Sequence, residues 1–445
     1  MRRATLPLRR AALPLLLAGM AAACARGADA RRDAWVAEYD TIGDTVVVRT
    51  VSGGEWGRAQ LVAELTIGRL ESDRDADILG EVAGLAVDAD GNIYAYDSQV
   101  PALRKYSADG AFIATFGRKG GGPGEYANSD GGLVVLRDGR ILLRDPGNAR
   151  FTLYRPDGSL DSEWPGRGGF FTSTPPYVDT AGHVYNLVWE QLSESERRNA
   201  TDFWRTRLVR TRADGTPLDT LDLPEYDVER QVLAAERRSR DGVSRSVTNV
   251  PFTAAFHWTF SPLGRFVTAV GDRYAVDQHL PGGGVLRIER RVEAVPVSAD
   301  EKAAAEERAI AQMRRLDPAW RWNGPPMPDH KPFIAALVVG QDGRIWVRRS
   351  APGEKIPDEE MDEPRPATNG VTIPPVRYRE PMSFDVFEPD GRYLGAVSAP
   401  RGFSLNPQPI LRGDLVWAVV SDELGVNRIQ RFRIVPDAMG AGPAG

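Results

Sequence analysis

Acidic residues stand at the ends of several short hydrophobic segments of this 445-residue sequence. If these segments are strands of one repeated motif, their carboxylates could converge on one rim and bind a divalent metal ion, which would support hydrolysis. The residues concerned are Asp97, Asp145, Glu190, Asp272 and Asp422. An Asp after a strand can also cap the turn that follows it, so a structural role is the alternative.

Arginines lie near the same positions, which gives the expected rim a mixed sign. The arginines are Arg104 and Arg150 on expected third strands, with Arg348, Arg349 and Arg428 later in the chain. Such a rim suits a zwitterionic or carboxylate-bearing ligand, because guanidinium groups bind carboxylates in a bidentate manner. Arg–Asp pairing that only stabilises each motif is the alternative interpretation. The predicted binding residues are Asp97, Arg104, Asp145, Arg150, Arg348 and Asp422.

Other patterns that could carry chemistry are incomplete. Paired spacing typical of a zinc site is absent from the four histidines, His183, His257, His279 and His330. The Asp73–Asp77 segment has alternate aspartates like a calcium loop, but the Gly and Glu that such a loop requires are missing. The Gly120–Gly124 run lacks the Lys-Ser/Thr pair of a phosphate-binding loop. We therefore predict no catalytic residue, no metal ligand and no cofactor.

The composition restricts the class of protein. Lys and Arg number 56 against 61 Asp and Glu, giving a net charge of -5, and no basic tract with interleaved aromatic residues occurs. Nucleic acid is therefore not an expected partner, because phosphate binding needs a concentrated positive face. The 45 Gly and 33 Pro place turns throughout the chain. Many short strands are more compatible with this frequency of turns than long helices are.

The N-terminus has the pattern of an export signal. Four arginines within residues 2–10 precede an apolar run, residues 11–23, that is too short to cross a bilayer of about 30 Å. The run ends in Ala21-Ala22-Ala23-Cys24, which resembles a bacterial lipobox, although Ala21 stands where Leu is usual. Cys24 is the only cysteine. We predict a signal peptide at 1–23, lipidation of Cys24, a tether at 24–40 and a membrane-anchored location in the cell envelope, at the periplasm or outer surface. Ordinary cleavage after Ala23, Ala25 or Ala30 is the alternative.

A repeated motif organises the remainder of the chain. In residues 84–116, two alternating segments flank Asp90-Gly91 and two more flank Asp109-Gly110. This is the pattern of two consecutive β-hairpins, and hence of one four-stranded antiparallel sheet. The same order of parts recurs five more times, and the last copy, which ends near Val435, lacks a fourth strand.

The missing strand has a natural source near the N-terminus. A segment within Val46–Val51 or Leu61–Ile67 precedes the first motif and has no sheet of its own. Pairing it with the last motif would close a ring and remove an exposed edge. The sequence therefore predicts an all-β fold: a six-bladed β-propeller at 41–436, of four-stranded antiparallel blades with Velcro closure by an N-terminal strand, followed by a flexible tail at 437–445.

A family resemblance supports this architecture. The segment Phe116–Tyr126, with its glycine run, is followed by a strand, an Asp-Gly turn, a second strand and Asn148-Ala149-Arg150. This order is similar to the NHL-type repeat, and the wider chain resembles uncharacterised six-bladed propeller lipoproteins of bacterial envelopes. The resemblance implies the fold, but propellers host binding scaffolds, hydrolases and lyases alike.

Two long insertions interrupt the repeats. Ser298 and Glu301 form a capping box that opens a helix to about Leu316, within an insertion at 298–332. An acidic, Pro-rich segment at 351–381 is expected to be a surface loop. The helix could cover one face of the disc as a lid or docking arm, or pack on a blade without further role.

The functional expectation follows from the absence of a complete catalytic set. We predict a non-enzymatic propeller lipoprotein of the envelope that binds a protein, peptide or glycan at one rim of the disc, with the membrane as a second partner. The alternative is a metal-dependent hydrolase or lactonase of the gluconolactonase type, for which a divalent metal would be the cofactor.

Overall fold

The structure is a computed structural model that describes residues 34–166, 172, 174–194, 204–226, 228–240, 242–366 and 370–437. The predicted signal peptide, Cys24 and the tail beyond residue 437 lie outside these residues. Strands make up most of the ordered elements, and one long helix accompanies them. No helix of the described residues is long and apolar enough to cross a membrane.

The described chain begins with three strands that precede the first repeat. They are β1 (Val36–Ile42), β2 (Thr45–Ser52) and β3 (Gly57–Ile67). We call the segment from residue 36 to residue 67 the N-terminal belt, because its strands pair with three different parts of the molecule.

The first three repeats each form a separate four-stranded antiparallel sheet. Unit 1 consists of β4 (Val82–Val87), β5 (Ile93–Asp97), β6 (Ala102–Tyr106) and β7 (Phe112–Phe116), and is followed by β8 (Arg118–Lys119) and β9 (Glu125–Tyr126). Unit 2 consists of β10 (Leu133–Val135), β11 (Ile141–Asp145), β12 (Arg150–Tyr154) and β13 (Leu160–Pro165). Unit 3 consists of β14 (Tyr177–Val178), β15 (Val184–Gln191), β16 (Trp204–Thr211) and β17 (Pro217–Asp222).

The fourth repeat is preceded by a hairpin and followed by the helix. The hairpin pairs β18 (Val232–Ser239) with β19 (Gly242–Asn249). Unit 4 consists of β20 (Phe256–Ser261), β21 (Arg265–Val270), β22 (Ala275–His279) and β23 (Val285–Arg290). The helix is α1 (Ala299–Arg314).

The last two repeats share one larger sheet with β3. Unit 5 consists of β24 (Ile334–Val339), β25 (Ile345–Arg349), β30 (Ser383–Phe387) and β31 (Tyr393–Ser398). Its insertion holds four two-residue strands, β26 (Glu354–Lys355), β27 (Arg365–Pro366), β28 (Thr372–Ile373) and β29 (Tyr378–Arg379). Unit 6 consists of β32 (Ile410–Arg412), β33 (Leu415–Ser421), β34 (Asn427–Pro436) and β3. Single-turn 3-10 helices occur at Asp75–Asp77, Pro146–Asn148 and Asp358–Glu360.

The N-terminal belt contacts three successive units. Among the described strands, β1 pairs only with β2, and β2 pairs in parallel with β23, the fourth strand of unit 4. β3 then runs parallel to β31 over residues 57–60 and antiparallel to β34 along most of its length. β3 therefore occupies the fourth-strand position that the last repeat does not supply from its own sequence.

Each unit has two distinct ends. Because consecutive strands are antiparallel, the turn from first to second strand and the turn from third to fourth strand lie at one end, which we call the turn end. The loop from second to third strand and the connection to the next unit lie at the other, the loop end. Turn-end connections are short, as at Asp88–Asn92, where the Asp88 carboxylate accepts hydrogen bonds from the Asn92 backbone and the Tyr94 hydroxyl. Gly91 there has a φ of 86°, which favours glycine.

The hydrophobic core lies between the units. Side chains alternate to the two faces of each sheet, and clusters of buried residues fill the space between every unit and the next. A further cluster joins the last unit to the first, where Trp417 and Val419 pack against Val82 and Leu85. Second strands are buried on both faces for this reason, as all five residues of β5 and β11 are.

Candidate functional site

Asp97 and Arg104, both predicted to bind ligand, are buried at the loop end of unit 1. Asp97 is 1% exposed, and its carboxylate accepts hydrogen bonds from the backbone N–H groups of Gly80 and Glu81 at 2.9 and 3.1 Å. Arg104 donates to the Ile78 carbonyl at 2.9 Å, and its Nη1 lies 3.4 Å from Asp97. These contacts fix the loop that enters unit 1, and a binding role for Asp97 and Arg104 stays a prediction.

Asp145 and Arg150 have corresponding contacts in unit 2. Asp145 is fully buried and accepts from the backbone N–H groups of Ala127 and Asn128 and from the Asn148 side chain, at 2.8 to 3.0 Å. Arg150 donates to the Glu125 carbonyl at 2.8 Å. Both side chains thus hold the connection between units 1 and 2.

Asp422 and Arg348 are only partly buried. Asp422 accepts from the backbone N–H groups of Leu424 and Val426 and pairs with Arg428 at 2.8 Å. The backbone N–H of Val426, more than any other group, lowers the pKa of the Asp422 carboxyl. The buried Nε of Arg348 has no hydrogen-bond partner in the described part of the chain. A binding role for these two residues stays a prediction.

The five acidic residues considered for a metal lie at the loop ends of different units. Glu190 pairs with Arg207 at 3.1 Å, and the carboxylates of Asp97 and Asp145 accept hydrogen bonds from backbone N–H groups. Within the described ranges, no three His, Cys, Asp or Glu side chains form a group that could hold a metal ion.

A cavity of about 490 Å³ lies among the first strands of the units. Its lining is mainly apolar and includes Leu85, Leu133, Phe260, Val339 and Ile410. Arg412 borders it at the turn end, but it donates to the carbonyls of Val87 and Asp88 and to Gln341, and so connects unit 6 to unit 1. The cavity thus offers volume with few polar groups free to orient a ligand.

A buried ion pair lies between units 2 and 3. Arg144, on β11, donates from Nε to both carboxylate oxygens of Asp130 at 3.0 and 3.1 Å. It also donates to Asn186 at 2.8 Å and to the carbonyls of Thr172 and Thr174. Both charged side chains are 4% exposed. One guanidinium group therefore holds together the second strands of two units and the connection between them.

Three insertions at the loop end pack together into one body, which we call the insertion body. It comprises the β18–β19 hairpin, residues 299–332 with α1, and the described part of residues 350–381. Its own apolar core includes Leu233, Val250, Met313 and Trp320. The Trp320 indole donates to the Ala234 carbonyl at 2.8 Å, which joins the helical insertion to the hairpin. Ile310 and Met313 of α1, together with Leu316 just after the helix, pack into this core.

Lys331 joins the insertions to one another. Its ammonium group donates to Glu301 at 2.6 Å, to Glu380 at 2.8 Å and to the Ala351 carbonyl at 3.0 Å. Glu301 belongs to α1, whereas Glu380 and Ala351 belong to the unit 5 insertion. The Lys331 side chain is 1% exposed, so its three donors are fully used inside the protein.

A groove of about 500 Å³ separates α1 from the unit 5 insertion. Its floor contains Ala303 and Ala304, and its wall contains Met361 and Tyr378. Charged residues line the rest: Asp300, Glu307, Lys355, Asp358 and Arg377. Glu307 and Arg377 pair at 3.1 Å, whereas the side chains of Asp300, Lys355 and Asp358 form no ion pair with the described residues.

The insertion body was not anticipated as a unit. The capping box predicted α1, and Ser298 indeed accepts a hydrogen bond from the Glu301 backbone at 3.1 Å. In the sequence, the region 230–249 is recognisable only as a charged segment. Its hairpin has few buried positions, such as Leu233 and Ala235, and so gives little apolar alternation. A lysine among prolines at 328–332 was the available signal for Lys331.

The strand pairing defines an all-β protein whose four-stranded antiparallel sheets are consistent with a β-propeller. No family model matches the chain, and no curated protein matches it in sequence. Solved structures with partial likeness include a Bacteroides fragilis protein whose name describes it as exported, with TM-score 0.43, 12% identity, and coverage of 84% of this chain and 95% of that one.

Two other solved structures show likeness of the same order. A member of the DUF4221 family from Bacteroides vulgatus has TM-score 0.47 and 10% identity, with 85% of this chain and 98% of that one covered. Virginiamycin B lyase from Staphylococcus aureus has TM-score 0.38 and 10% identity, with 85% and 100% covered. These likenesses say nothing about what this chain binds or catalyses.

Proposed function

We propose that the six units form a six-bladed β-propeller of NHL type whose ring is closed by β3. Two observations support this arrangement. Residues of units 6 and 1 share one buried cluster, which places the last unit against the first. β3, which precedes unit 1 in the chain, supplies the fourth strand of unit 6, so sheet pairing joins the N-terminal belt to the last repeat.

We further propose that the protein is an exported lipoprotein of the cell envelope, anchored through Cys24. The proposal rests on the arginines, the apolar run and the lipobox-like Ala21–Cys24 segment. Nine residues, 25–33, separate Cys24 from residue 34, where the described chain begins. This segment would be a short tether between lipid and propeller.

Cys24→Ala is expected to release the protein from the membrane fraction and to abolish its labelling by a palmitate analogue. The reason is that the thiol is the attachment point of the lipid, and the substitution removes it. Fractionation and labelling in the producing cell measure both effects. Labelling that persists in the variant, or never occurs in the parent, would show that the chain is not anchored through Cys24.

We propose that the propeller is a binding protein and that the insertion body carries its binding surface. The observation that carries this proposal is the fixed arrangement of three separate insertions around a groove, with the buried Lys331 at their junction. A preformed concave surface binds with less loss of conformational freedom than separate mobile loops do. At the opposite, turn end the connections of the described chain are short, and the cavity that Arg412 borders there has a mainly apolar lining.

The charges of the groove favour an extended peptide segment of a partner protein that carries basic residues. Asp300 and Asp358 line the groove, and the exposed Glu359 adjoins it. None of these three acidic side chains forms an ion pair with another described residue. Of the two cations in the groove lining, Arg377 pairs with Glu307, and Lys355 forms no ion pair with a described residue. The groove therefore has an excess of negative charge, which would attract a basic segment and orient it.

Binding of a labelled hexalysine peptide, measured by fluorescence anisotropy, tests this proposal. The parent protein is expected to bind hexalysine and not hexaglutamate, with affinity that falls as salt rises. The double variant D300N/D358N is expected to bind about tenfold more weakly, since two attractive charges are lost. Glu306→Gln, on the same helix but outside the groove lining, is the matched control and should change little. Equal binding of the two peptides, or equal loss in control and double variant, would contradict the proposal.

A further inference from the structure

A fully buried carboxylate between units 4 and 5 is contacted by four donors. Asp385 lies on β30 and is 0% exposed. Its Oδ2 accepts from the Tyr274 hydroxyl at 2.7 Å and lies 2.7 Å from Arg290 Nη1 and 3.5 Å from Arg349 Nε. Its Oδ1 accepts from the Tyr393 hydroxyl at 2.9 Å. Two guanidinium groups from different units therefore lie against the same carboxylate oxygen.

The charges of this cluster do not balance. Among the described residues, neither Arg290 nor Arg349 pairs with any carboxylate except Asp385. The tyrosines cannot offset the excess, because burial, reinforced by the Asp385 charge, raises the pKa of both Tyr274 and Tyr393 and keeps them neutral. Two cations thus share one anion in a largely buried place. A charge held there without a partner is costly.

The repeat itself does not require this excess. Asp97 in unit 1 and Arg349 in unit 5 are both the last residues of their second strands, and Arg104 and Asp385 occupy matching positions on the third strands. Unit 1 therefore has one acid and one arginine, and unit 5 has the same pair with the charges exchanged. Arg290, which unit 4 adds, is the residue that makes the cluster positive.

The two arginines have donors to spare. Arg290 Nη1 and Arg349 Nε face Asp385 and are inaccessible to solvent, so these two nitrogens are not open to a further ligand. The remainder of each guanidinium group reaches solvent, since the side chains are 25% and 33% exposed. The Arg290 guanidinium lies 4.2 Å above the ring of Tyr393, which fixes its plane.

We propose that an oxyanion, a carboxylate or a phosphate group, binds between Arg290 and Arg349. Its oxygens would accept hydrogen bonds from the solvent-facing N–H groups of the two guanidinium groups, and its charge would balance the second guanidinium. Guanidinium groups suit this role because their fork of donors matches two oxygens of one anion. The site lies between units 4 and 5 and is separate from the insertion-body groove, so it does not depend on the function proposed above.

Titration calorimetry of the purified protein with inorganic phosphate and with acetate tests the proposal and distinguishes the two sources of oxyanion. Saturable binding of one or both is expected. Arg349→Gln and Arg290→Gln should each weaken it at least tenfold, because each removes one half of the fork. Arg349→Lys keeps the charge without the fork and should lie between parent and Arg349→Gln.

Arg287→Gln is the matched control. Arg287 lies on the same strand as Arg290, and its guanidinium is already satisfied by both oxygens of Asp277 at 2.7 and 2.8 Å. Its substitution should leave anion binding unchanged. Binding of neither anion to the parent, undiminished binding to the Gln variants, or an equal loss in the Arg287 control would each overturn the proposal. If Arg349→Gln does not fold, Arg290→Gln and Arg349→Lys carry the same comparison.

Discussion

Arg144→Met should lower the free energy of unfolding by about 3–5 kcal/mol, the usual cost of removing one partner of a buried ion pair. Methionine retains much of the side-chain volume but leaves the Asp130 carboxylate buried with only the backbone N–H groups of Gly132 and Thr172 as donors. Asn186 also loses its donor from Arg144. Chemical denaturation followed by circular dichroism measures the change.

Arg155→Met is the control for this effect. Arg155 lies in the same unit, its side chain is 52% exposed, and it pairs with Asp161 at 2.8 Å. An exposed pair of this kind contributes about 0–1 kcal/mol. The double variant R144M/D130L should recover part of the lost stability, because no buried charge is left without a partner. Similar losses of unfolding free energy in Arg144→Met and Arg155→Met would mean that the buried ion pair stabilises the protein no more than the exposed pair does.

Lys331→Met is expected to loosen the insertion body while leaving the sheets of the units intact. Without the ammonium group, Glu301 and Glu380 remain close together in a buried place with no cation between them. The cost, about 3 kcal/mol or more, falls on the contacts between α1 and the unit 5 insertion. Amide hydrogen exchange in α1 should therefore accelerate about a hundredfold, and proteases should cleave within 351–381.

Lys302→Met provides the matched comparison. Lys302 is also on α1, but its partner Asp329, at 2.6 Å, is almost fully exposed. Its loss should leave exchange in α1 nearly unchanged. Exchange that stays slow in Lys331→Met would show that the apolar core around Trp320 holds the insertion body without the buried ion cluster.

The repeated strands could be read from the sequence because their signals are local. Alternating apolar residues and a Gly-containing turn, in most cases Asp-Gly, define each hairpin within about ten residues. The structure has antiparallel strands of the units at these positions. The last repeat lacks a fourth strand, which predicts a partner from the N-terminal segment, but the sequence left Val46–Val51 and Leu61–Ile67 as equal candidates, and it is β3 that pairs with β34. Local signals do not show that the six units form a ring. We propose the ring because units 6 and 1 share a buried cluster and β3 completes unit 6.

The roles of individual polar residues could not be read in the same way. An Asp at the end of a strand looks alike in sequence whether it faces solvent or receives backbone N–H groups, and Asp97 and Asp145 do the latter. In a capping box, the Glu301 side chain would accept a hydrogen bond at the start of its own helix. In the structure it instead pairs with Lys331, thirty residues away. The contacts of Asp385 with Tyr274 and Arg290 join different units and leave no local pattern.

The N-terminal belt determines how the molecule would respond to a mechanical pull. If the chain is suspended from a lipid on Cys24, tension enters at residue 34 and reaches β1 first. In the described part of the chain, β1 has β2 as its single neighbouring strand, and β2 lies outside the four strands of unit 4, although it pairs with β23. These two strands can separate from β23 while β3 keeps its pairing with β34. Under tension we therefore expect β1 and β2 to detach before any force reaches the strand that completes unit 6.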